Sequence, residues 1–137
     1  MQLNISPFKT VTEALAWAKS EIDEAAGAAR SRYLTVTPGQ DATYSAKYAD
    51  AKAFVLAGYP EEQINNYPWV KAEAVAIEST TKQAADGIKY VGDAWNMQLG
   101  PAIEGTRIGG KDDLKTLTTI AAVVFSARQT IATLDKI

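Results

Sequence analysis

Apolar residues recur along this chain at steps of three and four, the spacing that gathers side chains onto one face of an α-helix. Near the N-terminus Val11, Leu15, Ala18, Ile22, Ala25 and Ala29 follow steps of 4, 3, 4, 3 and 4. Near the C-terminus Leu117, Ile120, Val124, Ala127, Ile131 and Leu134 follow steps of 3, 4, 3, 4 and 3. No alternation of period two runs long enough to build a sheet. The pattern predicts an all-α fold, an alanine-rich bundle of four to five helices with a long C-terminal helix. Alanine suits such a fold twice over, because it loses no side-chain entropy in a helix and lets neighbouring helices approach closely. At 137 residues one domain over residues 1–137 is expected, with residues 1–9 as an extended lead-in.

Local chemistry sets the expected boundaries. Thr10 stands three residues before Glu13 and caps a first helix over about 11–32. Thr37-Pro38-Gly39 stops the chain, and Gln40 or Asp41 caps a second helix carrying Tyr44, Tyr48, Ala51 and Val55. Gly58 and Pro60 end it. A connector over 61–67, with at most one helical turn, leads to Pro68 at the first position of a third helix, where its missing N–H goes unneeded. Ser79-Thr80-Thr81 offers the cap for a fourth, with Ala84, Ile88, Val91, Trp95 and Leu99 on its seam. Gly100-Pro101 is expected to kink or break that helix, with a short continuation to about Ile108. Gly109-Gly110 reads as the sharpest corner in the chain, after which Asp112 caps the last helix. The first, fourth and fifth helices are expected to be longest. Trp95, Ile88, Ile22, Leu15, Val124 and Ile131 are expected in the core. The one β-rich stretch, Tyr33-Leu34-Thr35-Val36-Thr37, reads as a short extended linker.

Several kinds of chemistry lack their usual residues. The chain has no histidine and no cysteine, which removes the commonest general base, the commonest transition-metal ligand and any thiolate or disulfide. Ser and Thr therefore lack their usual activating partner. Gly105-Thr106-Arg107-Ile108-Gly109-Gly110-Lys111-Asp112 begins like a phosphate-binding loop but puts Asp112 where Ser or Thr must bind magnesium, and no apolar strand precedes it. No catalytic, cofactor-binding or metal-binding residue is assigned, and a non-enzymatic role is expected. A formal net charge of −2 without a basic run argues against nucleic acid, which needs a cationic face. The longest apolar run, Ile120 to Phe125, has six residues, against about 20 for a membrane span. The N-terminus has no basic stretch followed by an apolar one, so no signal peptide is expected.

Aromatic residues supply the contact candidates. Tyr44 and Tyr48 share a helical face, while Tyr59, Tyr67 and Trp69 cluster about the proline-bounded connector. Trp17 falls off the strict seam of its helix, packing under a loop or marking a contact. Trp and Tyr are over-represented where interfaces carry most of their energy. These six are the candidate protein-contact residues. The terminal heptad seam packs within its own chain, on copies of itself, or on a partner helix.

The stretch Arg32-Tyr33-Leu34-Thr35-Val36-Thr37-Pro38-Gly39-Gln40-Asp41-Ala42-Thr43-Tyr44-Ser45-Ala46-Lys47, followed by Tyr67-Pro68, Ala94-Trp95 and Ile103-Glu104-Gly105-Thr106-Arg107-Ile108-Gly109-Gly110-Lys111, resembles small proteins encoded in tailed-bacteriophage tail gene clusters. The resemblance covers about residues 30–115 in the right order. Pro101 and the second glycine of Gly109-Gly110 depart from the pattern. It implies a structural tail protein, in the virion or in the host cytoplasm during assembly, whose partners are fibre or baseplate subunits. It brings no catalytic residues with it. The alternatives are a tail-fibre assembly chaperone or adaptor that leaves the particle, and a small inhibitor of a host protein.

Overall fold

A computed structural model describes residues 7–34 and 39–137. The fold is all-α, with no strand among the described residues. Its helices are six rather than four or five: α1 (Val11–Ser31), α2 (Gln40–Leu56), α3 (Pro68–Ala76), α4 (Thr81–Ala94), α5 (Gly100–Asp113) and α6 (Ile120–Asp135). A 3-10 segment over Glu61–Asn66 precedes α3, a π turn over Trp95–Leu99 links α4 to α5, and a 3-10 turn over Leu114–Thr116 follows α5. The expected lead-in at 1–6, the Thr37-Pro38 turn and the linker from Thr35 to Thr37 lie outside the described residues.

The helices divide into two compact units. One is drawn from Met1–Leu34 and Leu99–Ile137, the other from Thr35–Gln98.

The first unit holds α1, α5 and α6. α1 starts where expected, with the Thr10 hydroxyl accepting from the Glu13 N–H. The reciprocal bond of a capping box is shifted by one residue, because the Glu13 carboxylate accepts from the Lys9 N–H instead. α1 buries Ala14, Ala18, Ile22, Ala26 and Ala29. The buried line is thus turned slightly from the expected seam, and Leu15 and Ala25 are only half-buried. Close helix contact selects the smallest side chains for its centre and moves Leu15 to the flank. Against this face pack Ile103 and Gly110 of α5, Leu114, and Val123, Val124, Ala127, Thr130 and Leu134 of α6. The terminal seam is accordingly spent inside the chain. Arg32 closes the end of α6 by donating to the Leu134 carbonyl at 2.7 Å, and the Tyr33 hydroxyl donates to the Ile137 carbonyl.

Two expectations fail in this unit. Gly109-Gly110 is no corner but lies inside α5, which runs to Asp113 rather than Ile108. A Cβ at Gly110 would overlap Thr130, coming within 2.6 Å of its Oγ1 as well as against its methyl. That glycine therefore lets α5 and α6 touch, and the close contact offsets its poor helix propensity. The turn comes later, and α6 is capped by Thr119, whose hydroxyl accepts from the Ala122 N–H, rather than by Asp112. α6, with 16 residues, is third in length after α1 with 21 and α2 with 17, and it is α4, with 14, that is shorter than expected.

The second unit holds α2, α3 and α4 around Ala51, Phe54, Val70, Ala74, Ala84 and Ala85. Phe54 is its largest buried side chain. Val55, Tyr59, Ile64, Tyr67 and Ile88 pack on this core from the rim. α2 starts after Gly39 with no side-chain cap, so neither Gln40 nor Asp41 has the capping role expected of it. Its end is a Schellman motif: the Gly58 N–H donates to the Val55 carbonyl and the Tyr59 N–H to the Phe54 carbonyl. Gly58 takes the left-handed conformation, with φ +83°. The hydrophobic contact typical of the motif is the Phe54–Tyr59 edge-to-face pair, 5.8 Å between centroids. Pro68 opens α3 as expected, and Thr80 opens α4 with a full capping box to Gln83.

Of the six residues expected in the core, Ile22 and Val124 are fully buried, whereas Leu15, Ile88, Trp95 and Ile131 are half-buried.

Candidate protein-contact surface

One surface of the second unit with exposed apolar side chains is the outer face of α3. Tyr67 precedes this helix and packs its ring edge-on against Phe54, 5.0 Å between centroids. No side chain of its own caps α3. Asp50 of α2 does so instead, its Oδ2 accepting from the Trp69 and Val70 N–H groups at 2.9 Å each. A carboxylate at a helix N-terminus also meets the positive end of the helix dipole. These two anchors fix the start of α3 and with it the direction of Trp69.

Along α3, Val70 and Ala74 turn inward, while Pro68, Trp69, Ala72, Val75 and Ala76 are exposed. Trp69 is 40% exposed, Val75 72% and Ile77 58%. The two charged residues of the helix are both tied down. Glu73 pairs with Lys47 of α2 at 2.8 Å, and Lys71 donates to Asn65 Oδ1 at 2.7 Å. Apart from Lys71 and Glu73 the helix is apolar, and Pro68, Ala72, Val75 and Ala76 lie on the side away from the buried Val70 and Ala74. Shallow grooves flank it. One, of about 520 Å³, is lined by Asn65, Pro68, Lys71, Ala72, Val75 and Ala76. The other, of about 540 Å³, lies between Lys71 and Val75 on one side and Glu61, Ile64 and Thr80 on the other.

The other aromatic candidates are placed differently. Tyr48 lies over Gly92, where a Cβ would come within 2.6 Å of its Cε1. Its hydroxyl donates to Asp93 at 2.6 Å, and Lys52 lies 5.0 Å from its ring centre. The bond to Asp93 raises the Tyr48 pKa above its usual value. Asp93 is held below the ordinary carboxylate range, first by Lys89 and then by Tyr48. Tyr59 donates to Asp86 at 2.6 Å, which raises its pKa, and Lys82 lies 5.2 Å from its ring centre. Tyr44 is half-buried on α2. Trp17, in the first unit, stacks at a tilt on Phe8, 5.3 Å between centroids, so it packs under the segment leading into α1. Among the six candidates, then, Trp69 joins the α3 face. Tyr48, Tyr59 and Tyr67 are engaged within the second unit.

Val75 and the capping Asp50 were not singled out in the sequence. Nothing local distinguishes an apolar residue facing a core from one facing outward. The surplus of apolar residues over one face of so short a helix was the available signal.

In the first unit, charge is concentrated between α1 and α5. Asp23 accepts from Lys111 at 3.0 and 3.1 Å and from Arg107 at 3.0 Å. Glu104 accepts from Arg107 at 2.7 and 3.0 Å and from Arg30 at 2.8 Å. Lys111 holds the Asp23 pKa down most strongly, and Arg107 does the same for Glu104. The stretch resembling a phosphate loop is thus helical, its amides lie within α5, and its lysine is committed to Asp23. Among the described residues no group of three or more acidic, His or Cys side chains is placed to hold a metal. No helix among them is long and apolar enough to cross a membrane. No protein-family model, no curated protein and no solved structure matches the chain.

Proposed function

We propose that this is a non-enzymatic structural protein of a phage tail that binds fibre or baseplate subunits through helical surfaces, with the outer face of α3 as the principal contact. The observation that carries the contact is the exposure of Trp69 and Val75 beside Pro68, Ala72 and Ala76, on a helix whose Glu73 is paired with Lys47 and whose Lys71 donates to Asn65. Apolar side chains gathered on one face and rimmed by polar residues mark binding surfaces more often than bare solvent-facing ones. The tail assignment rests on the resemblance of the Arg32–Lys47 stretch and the motifs after it to tail-cluster proteins.

Mass spectrometry of purified virions tests the assignment. The protein is expected at a stoichiometry comparable to fibre or baseplate subunits. Its absence from mature particles, with fibre yield still dependent on it during expression, would transfer the reading to an assembly chaperone.

A further inference from the structure

Between Ala85, the last buried residue of α4, and Ile103, the first of α5, no side chain is fully buried. The π turn Trp95–Leu99 lies in the middle of this stretch and itself buries nothing. Trp95 and Leu99 are half-buried, whereas Asn96, Met97 and Gln98 are exposed. Pro101 follows directly. It has no N–H to donate to the turn before it, and its ring would clash with a carbonyl in a regular α-helix. The wider π turn leaves room for that ring. Gly100 adds backbone freedom just before the proline. Asn96 braces the turn from an exposed position, donating to the Gly92 carbonyl at 2.8 Å.

Backbone hydrogen bonds open most readily where few apolar side chains anchor them and water reaches them. Both conditions meet at this turn, and Pro101 removes a bond besides. We propose that the π turn Trp95–Leu99 is a site of local opening, where the backbone hydrogen bonds of the turn break and re-form while the cores at 84–85 and at 103 stay folded. π turns inside α-helices are found disproportionately where proteins function.

Amide hydrogen exchange on the full chain, read residue by residue by NMR, tests this. The amides of 95–99 are expected to exchange at least about tenfold faster than those of 85–88 and 103–107. Pro101→Ala restores the donor and the regular helix, so it is expected to narrow that gap while leaving the two flanks unchanged. Protection at 95–99 equal to that of the flanks would overturn the proposal, and so would a gap that Pro101→Ala leaves intact.

Discussion

Two adjacent glycines in α5 are expected to respond to the same substitution with opposite signs. Nothing lies within 4 Å of a Cβ at Gly109, whereas a Cβ at Gly110 overlaps Thr130, which is 8% exposed and held by its hydroxyl bond to Ser126. Gly109→Ala gains helix propensity and should stabilise by about 0.5–1 kcal/mol. Gly110→Ala makes the same gain but overpacks the contact, which typically costs about 1–3 kcal/mol, so a net loss is expected. Urea unfolding of the two variants checks this, and a stabilising Gly110→Ala would show that α5 and α6 are farther apart than described. The pair also explains why Gly109-Gly110 read as a corner in the sequence. A glycine that ends a helix and one that admits a neighbouring helix look alike, and what separates them here is Thr130, far along the chain.

Elements were legible where local chemistry decides and obscure where distant packing does. Thr10, Pro68 and Thr80 start helices by bonds or restrictions that span only a few residues, so α1, α3 and α4 start where expected. The persistence of helix beyond Pro101 depends on a π turn, and no sequence period encodes that. The exposure of Val75 was hidden for a related reason, since periodicity defines an apolar face without saying what covers it. Between α1 and α5 the charge cluster makes a prediction about pH. Asp23 and Glu104 have pKa values lowered from 3.8 and 4.5 in the folded state. Their contribution is therefore present above those ordinary values and is lost as pH falls through the lowered ones. Both side chains are more than a third exposed, so the effect is modest. Arg107→Met should lower the melting temperature at neutral pH, and the difference from wild type should shrink as acid protonates both carboxylates. A difference independent of pH would mean that Arg107 acts through packing alone.

At the scale of the whole molecule, the division into two units carries the consequences. One unit is a continuous segment, Thr35–Gln98, whereas the other needs both ends of the chain. Deleting residues 120–137 removes Val123, Val124, Ala127 and Leu134 from the first core and nothing from the second. Amides of α1 and α5 should then lose their protection while those of α2 and α3 keep theirs; loss throughout would show that the second unit is not stable without the first. The tail-protein reading depends on the second unit through one face of α3. Val75→Glu puts a charge on that face at a position 72% exposed, so the fold should tolerate it. The decisive measurement is the affinity of wild-type and Val75→Glu protein for fibre and baseplate subunits, with the melting temperature of each recorded alongside. Binding weakened by at least about tenfold, roughly 1.4 kcal/mol, at an unchanged melting temperature is the expected result, and equal binding by both proteins would contradict the assignment of α3 as the contact.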